Sequence, residues 1–253
     1  MVGCDCRVCT STDPRDHRTR HGALLEADGG RLLIDTPPEL RLQLLRAGID
    51  RVDAVWYTHA HADHLHGIDD LRIFSLRGRG DLPAYISDDA RPALLQRFDY
   101  IFDPEEIPLP GTSKPGIHLR SLHPYRPIEL VGETFVPLPV PHGTFTPLGF
   151  RVGGLGYITD AKRLPSETSE VLQGVRVLVL NALWYGDPHP THFNVEEALK
   201  VAEGIGAERT YLVHLTHRLS HRELLERLPP GVRPAHDGLT VTLEPTRIRE
   251  ETS

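Results

Sequence analysis

Residues 58–67, Thr-His-Ala-His-Ala-Asp-His-Leu-His-Gly, constrain this chain more than any other stretch. The apolar run Ala54-Val55-Trp56-Tyr57 before them reads as a buried strand, and Gly67 to Ile73 after them as the start of a helix. His59, His61, Asp63 and His64 therefore share one strand-to-helix turn in the spacing H-x-H-x-D-H. Imidazole nitrogen and carboxylate oxygen suit borderline divalent ions such as zinc, and manganese or iron also fit. A single turn cannot complete such a site, so the fold must bring ligands from elsewhere.

Three downstream residues have the right chemistry and the right placement. His142 follows the run Val136 to Pro141, Asp160 follows Gly156 to Thr159, and His214 follows Tyr211 to Val213. Residues at strand ends on one rim of a sheet can share a site however far apart they lie in sequence. The expected grouping is His59, His61 and His142 on one ion, and Asp63, His64 and His214 on a second, with Asp160 bridging. Two ions about 3.5–4 Å apart clamp the attacking and leaving oxygens of a displacement. Asp35 and Asp237 read as carboxylates that orient ligand histidines from behind. Cys4, Cys6 and Cys9 are the only cysteines, an odd number in a tight cluster. They look like three soft ligands in need of a fourth rather than a disulfide framework.

The order of elements indicates an α/β protein, and 253 residues suit one domain spanning 1–253. Strands are expected at Ala23 to Ala27 and Arg31 to Asp35, at Thr134 to Val140, Leu148 to Val152 and Leu155 to Thr159, and at Val175 to Leu180 and Thr210 to Val213. Helices are expected at Pro38 to Ala47, at Asp88 to Tyr100 capped by Asp88 or Asp89, at Asn194 to Gly204, and at Ser220 to Leu228 with a Ser220–Glu223 capping box. The charged tail 244–253 reads as frayed. A net charge of −7 gives no field to attract a nucleic-acid polymer or an anionic membrane. No apolar run approaches the roughly 20 residues of a membrane span, and reduced cysteines with no signal-peptide pattern point to the cytoplasm.

The H-x-H-x-D-H turn, the spaced His142, Asp160 and His214, and Leu33-Ile34-Asp35 resemble the metallo-β-lactamase-fold hydrolases. Gly3 to Cys9, Gly67 to Arg72, His189-Pro190-Thr191-His192-Phe193 and His214-Leu215-Thr216-His217 are similar to the phosphoribosyl 1,2-cyclic phosphate phosphodiesterases within them. The resemblance covers almost the whole chain. It implies a four-layer αββα sandwich, two active-site ions (manganese or zinc), often a homodimer, and a separate structural zinc in the N-terminal segment 1–20. By motif position the structural zinc is held by Cys4, Cys6, Cys9 and His217, with His221 as the competing fourth ligand. His192 matches the family's general acid, Asp63 is placed as both ligand and catalytic residue, and Arg72 could hold a phosphate oxygen. Relatives carry a β-strand ahead of the cysteine cluster, whereas this chain opens on Met1-Val2-Gly3, so either its start is assigned too late or the first sheet lacks an edge strand.

These readings combine into a dinuclear metal-dependent hydrolase of small phosphodiesters, such as cyclic ribose or nucleotide phosphates. A metal-bound hydroxide would attack phosphorus and His192 would protonate the leaving oxygen. The alternative is a thioester or lactone hydrolase on the same fold, which would share every metal ligand.

Overall fold

The structure, a computed structural model, describes residues 1–76 and 80–252. The chain folds as two compact units, residues Arg20–Pro137 and residues Met1–Thr19 with Leu138–Ser253.

The Arg20–Pro137 unit is built on a five-stranded sheet of β1 (Ala23–Ala27), β2 (Gly30–Ile34), β3 (Ala54–Trp56), β4 (Leu82–Ser87) and β5 (Ile117–Leu122), side by side in that order. β1 and β2 form an antiparallel hairpin about Asp28-Gly29, and every later pairing is parallel. Parallel neighbours need crossovers, and helices supply them. These are α1 (Leu40–Arg46), then α2 (Ala62–Leu65) with a 3-10 turn (Ile68–Leu71) and α3 (Arg72–Phe74), then α4 (Arg91–Arg97) and α5 (Asp99–Phe102). Val55, Tyr57, Ala60, Leu65, Ile68, Leu71, Ile86 and Leu94 are fully buried in one core. A hairpin of β6 (Ile128–Leu130) and β7 (Glu133–Pro139) follows.

Gly67 closes the metal turn for a packing reason rather than a conformational one. Its N–H donates to Thr36 O at 2.8 Å, and a Cβ there would lie 2.2 Å from Pro37 O and 2.8 Å from Leu40 Cβ. A backbone carbonyl cannot yield as a flexible side chain can. Gly67→Ala should therefore destabilise the protein by about 2–3 kcal/mol, seen as a melting temperature roughly 8 °C lower; an unchanged melting temperature would contradict this packing.

The second unit carries β8 (Leu148–Val152) and β9 (Leu155–Ile158) as an antiparallel hairpin. Then come α6 (Ser166–Leu172), β10 (Val177–Asn181), α7 (Val195–Ile205), β11 (Arg209–Val213), α8 (His221–Arg227) and β12 (Val232–Pro234). β9, β10, β11 and β12 are parallel neighbours, and the near-continuous apolar sequence of β10 is that of a strand covered on both faces. Asn194 caps α7 with a full capping box, its side chain accepting from Glu197 N–H while Glu197 reaches back.

Several expectations need correction. The tail is not frayed through Thr252: β13 (Leu239–Leu243) and β14 (Ile248–Thr252) pair antiparallel, and Tyr211 Oη donates to Glu250 at 2.7 Å. Ser253 lies outside the described residues. Neither Asp88 nor Asp89 caps α4; Ala90 holds that position, and Ser87 Oγ accepts its N–H at 3.2 Å. The expected single helix also breaks at Phe98 into α4 and α5. Ser220 caps α8, but Glu223 does not return the bond because its carboxylate is paired with Arg7 and Arg227. No strand precedes Ala23 among the described residues.

Candidate metal centre

Asp35, His59, Asp160 and His214 stand at the carboxyl ends of parallel strands, where open α/β sheets place their ligands, while His142 follows the antiparallel β7. In the first unit Asp35 follows β2 and His59 closely follows β3. Asp35 is fully buried and accepts from Thr58 N–H (2.8 Å), Thr58 Oγ1 (2.8 Å) and His64 Nδ1 (2.6 Å). Burial pushes its carboxyl above the ordinary range, while His64 and Thr58 act in the opposite direction. The bond to His64 Nδ1 fixes that ring's tautomer and leaves Nε2 as the ligand atom. Nε2 of His64 lies 3.5 Å from Asp63 Oδ2, and His59 Nε2 lies 2.9 Å from His61 Nδ1. Ligand atoms about 2.0–2.1 Å from one ion are about 2.9–3.4 Å apart at angles between 90° and tetrahedral; the His59–His61 pair falls within that range and the Asp63–His64 pair just beyond it. The Arg97 guanidinium, from α4, donates to Ala60 O and pins the turn's backbone.

The second unit gathers the remaining set. His142 Nδ1 bonds Thr191 O at 2.9 Å, again leaving Nε2, and burial holds its pKa below the usual imidazole value, keeping the ring neutral. Asp160 follows β9, and Thr159 Oγ1 donates to its Oδ1 at 3.1 Å. Asn181, at the end of β10, clamps the next residue twice, through Ala161 N–H (2.8 Å) and Ala161 O (3.1 Å). His214 Nε2 lies 3.1 Å and His192 Nε2 3.6 Å from Asp160 Oδ1. The ligand atoms of these three residues all lie within 4.8 Å of one another.

Backbone strain concentrates at the same points. Asp35, Asp160 and His214 have φ of 61°, 53° and 60°, a left-handed conformation that Asp and His enter more readily than most residues. Non-glycine residues held there persist only where the surroundings enforce them, and such sites cluster at functional centres.

The cysteines form a separate centre in the second unit. Cys4, Cys6, Cys9 and His217 bring their ligand atoms within 4.8 Å of one another. Cys4 Sγ and Cys6 Sγ lie 3.6 and 3.4 Å from His217 Nδ1. A tetrahedral ion with metal–sulfur bonds of about 2.3 Å and a metal–nitrogen bond of about 2.05 Å sets these atoms about 3.5 Å apart. The bond to His217 pulls the Cys6 thiol down to about 6, toward the thiolate that zinc binds.

A sequence profile of the β-lactamase superfamily domain matches residues 30–215, which run across both units. A solved diphosphatase of the PhnP family is 39% identical, with a TM-score of 0.87 over 96% of this chain and 92% of its own. The chain belongs to the β-lactamase superfamily. Its likeness to that structure places it with the PhnP family, and its fold is the α/β metallo-β-lactamase fold of hydrolases. The fold protein YhfI from Bacillus subtilis superposes with a TM-score of 0.71 over 92% of each chain, at 21% identity. A protein of Porphyromonas gingivalis named octanoyltransferase is 38% identical over 250 residues, 98% of this chain and 50% of its own. The chain thus spans half the length of that relative.

Other expected residues of this β-lactamase-superfamily chain fall as follows. Arg72 is half exposed and pairs with Asp69 at 3.3 Å. Asp237 orients no ligand histidine: it accepts from Thr19 N–H and Oγ1, tying down the N-terminal segment. Sequence reasoning missed Thr58, Thr191 and Asn181, although Asn181 at the end of an otherwise apolar strand was a usable signal. Among the described residues no helix is long and apolar enough to cross a membrane.

His221 stands apart from the cysteine group. Its backbone N–H donates to Asp16 at 2.7 Å, its ring packs on His236 with centroids 5.2 Å apart, and its buried Nδ1 has no hydrogen-bond partner among the described residues. Burial pushes its pKa down to about 4. The unfolded chain takes up this proton as pH falls through about 6.5, and the folded protein only near 4. Stability is therefore lost across that window. Between pH 7 and pH 5 the native chain should lose about 2 kcal/mol more than His221→Phe, which keeps the ring packing. Urea unfolding at both pH values measures it, and equal losses would contradict the assignment.

Proposed function

We propose that this hydrolase cleaves a phosphodiester bond in a small molecule, a cyclic ribose or nucleotide phosphate, at a pair of manganese or zinc ions. His59, His61 and His142 would hold one ion and Asp63, His64 and His214 the other, with Asp160 between them. The likeness to a PhnP-family diphosphatase over nearly the whole of both chains carries this reading. The donor sets within each unit support it. When bound, the ions supply a nucleophilic water at neutral pH and offset charge on the reacting phosphate.

The chain's own part is orientation and proton delivery. Asp35 and Thr191 O each fix a ligand imidazole through its Nδ1, so that Nε2 faces the ion. His192 presents Nε2 beside the Asp160 carboxylate, while its Nδ1 lies 3.0 Å from Thr191 Oγ1 and 3.2 Å from His189 Nδ1. Held in this way, it can pass a proton from Nε2 to the departing oxygen, and Thr191 and His189 keep the ring from turning. Arg72 would hold a phosphate oxygen, giving up its Asp69 partner.

Leaving-group dependence tests the assignment. With manganese-loaded protein, His192→Gln should lower kcat on a cyclic ribose phosphate by about 100-fold. It should have little effect on a nitrophenyl phosphodiester, whose anion departs without a proton. Equal losses on both substrates would remove His192 from that role. A second reading, thioester hydrolysis at the same centre, would share every metal ligand; the relative named octanoyltransferase, of which this chain spans half, makes an octanoyl thioester the natural probe. Turnover of an octanoyl thioester with none of either phosphodiester would establish it.

A further inference from the structure

Beyond β10 the chain leaves the sheet along fixed backbone bonds. Leu183 N–H donates to Phe193 O at 3.0 Å, and Trp184 O accepts from Val195 N–H at 2.8 Å. The Trp184 indole is only partly buried, and its Nε1 donates to Asp187 O at 2.8 Å, which sets the plane of the ring. The exposed Arg218 guanidinium sits 4.3 Å from the ring centre. His189 meets the indole edge-on at 5.5 Å, the His189 and His192 rings are 5.0 Å apart, and the His192 and His214 rings 4.9 Å. An unbroken row of rings thus runs from a proposed metal ligand, through the proposed proton donor, to a partly buried indole topped by a cation.

We propose that Trp184 and Arg218 form a subsite for the nucleobase of a nucleoside phosphodiester, a specification that rests on the phosphodiesterase reading above. A partly exposed indole of fixed orientation gives a base a stacking surface without an ordering cost in the side chain. The guanidinium adds cation–π attraction to any aromatic plane laid beside it. Every base has a π-face, so the subsite favours nucleotides over bare sugar phosphates and discriminates little among bases. The row of rings also matches the order of groups in such a substrate: phosphate at the metals, ribose beside His192 and His189, base at Trp184.

The protein carries its own reporter for this site. It has two tryptophans, and Trp56 is fully buried, so a ligand that quenches fluorescence by stacking reads out Trp184. Manganese-loaded protein would be titrated with AMP and with ribose 5-phosphate, by fluorescence and by calorimetry. AMP should quench saturably and bind at least about tenfold more tightly than ribose 5-phosphate, which should not quench. Trp184→Leu should weaken AMP binding by about tenfold and leave ribose 5-phosphate unchanged; Trp184→Phe should abolish the quench while keeping most of the affinity. In turnover, Trp184→Leu should raise KM for a nucleoside 2′,3′-cyclic phosphate by about tenfold at constant kcat and leave base-free cyclic ribose phosphate unaffected. Equal binding of the two ligands, or equal weakening of both by Trp184→Leu, would overturn the subsite. If base-free phosphodiester is turned over as well as the nucleotide and Trp184→Leu changes neither, the subsite falls and the phosphodiesterase reading stands. If no phosphodiester is turned over but AMP binds with the expected pattern, the subsite stands and that reading falls.

Discussion

Asp160→Asn should lower turnover on the order of 10³-fold, about 4 kcal/mol of activation free energy, in a protein that still folds. Asparagine enters the left-handed conformation readily, so the φ of 53° costs the variant nothing new. The clamp of Asn181 on Ala161 and the hydroxyl of Thr159 remain available to hold the loop. What disappears is a negative charge 3.1 Å from His214 Nε2 and 3.6 Å from His192 Nε2. Under the proposed assignment that charge is shared by both ions, so elemental analysis should find fewer active-site metal ions per chain. Turnover within tenfold of wild type, or an unchanged metal content, would refute the bridging role.

Cys6→Ser should lower the melting temperature by about 10–20 °C, corresponding to roughly 5 kcal/mol. Serine nearly matches cysteine in volume, so the loss reports the ligand rather than the packing. Cys6 Sγ lies 3.4 Å from His217 Nδ1 and also meets His217 O. Removing it should unlink the N-terminal segment from the loop after β11 and release one zinc per chain. A strong chelator should lower the melting temperature of the native protein by at least as much, and that of Cys6→Ser by less, because only the active-site ions remain to be stripped from the variant. A variant with native zinc content and melting temperature would show that the four residues cluster without serving as a metal site.

The sequence revealed what is local and what is periodic. The turn from His59 to His64 could be read because its donors fall within six residues. His142, Asp160 and His214 could be found because each ends a run whose pattern marks a strand. The cysteine cluster announced itself in the same way, but its fourth partner did not. His217 and His221 are four residues apart, and only the start of α8 decides between them, carrying the His221 ring onto His236 and away from the thiols. Asp237 was misread because its position at the opening of a turn says nothing of what faces it, which is Thr19. β5 escaped notice because its alternation, Ile117-His118-Leu119-Arg120, is short and polar on one side. The hairpin of β13 and β14 was hidden by the charged residues of β14, which suit an exposed edge as well as a loose end. Trp184 carried no signal at all, since its value lies in which rings stand next to it.

The second unit is assembled from the two ends of the chain, Met1–Thr19 and Leu138–Ser253, and this bears on how the protein is born. Translation delivers Cys6 211 residues before His217. At about 5–20 residues per second, the thiols emerge on the order of ten seconds or more before their imidazole. Throughout that interval they are three soft donors on a tether, open to oxidation or to capture of a tighter-binding copper ion. The Arg20–Pro137 unit is contiguous and can fold while they wait. The cysteine segment can dock only after the loop that follows β11 has been made, so under the zinc assignment metal supply at that moment becomes a determinant of yield.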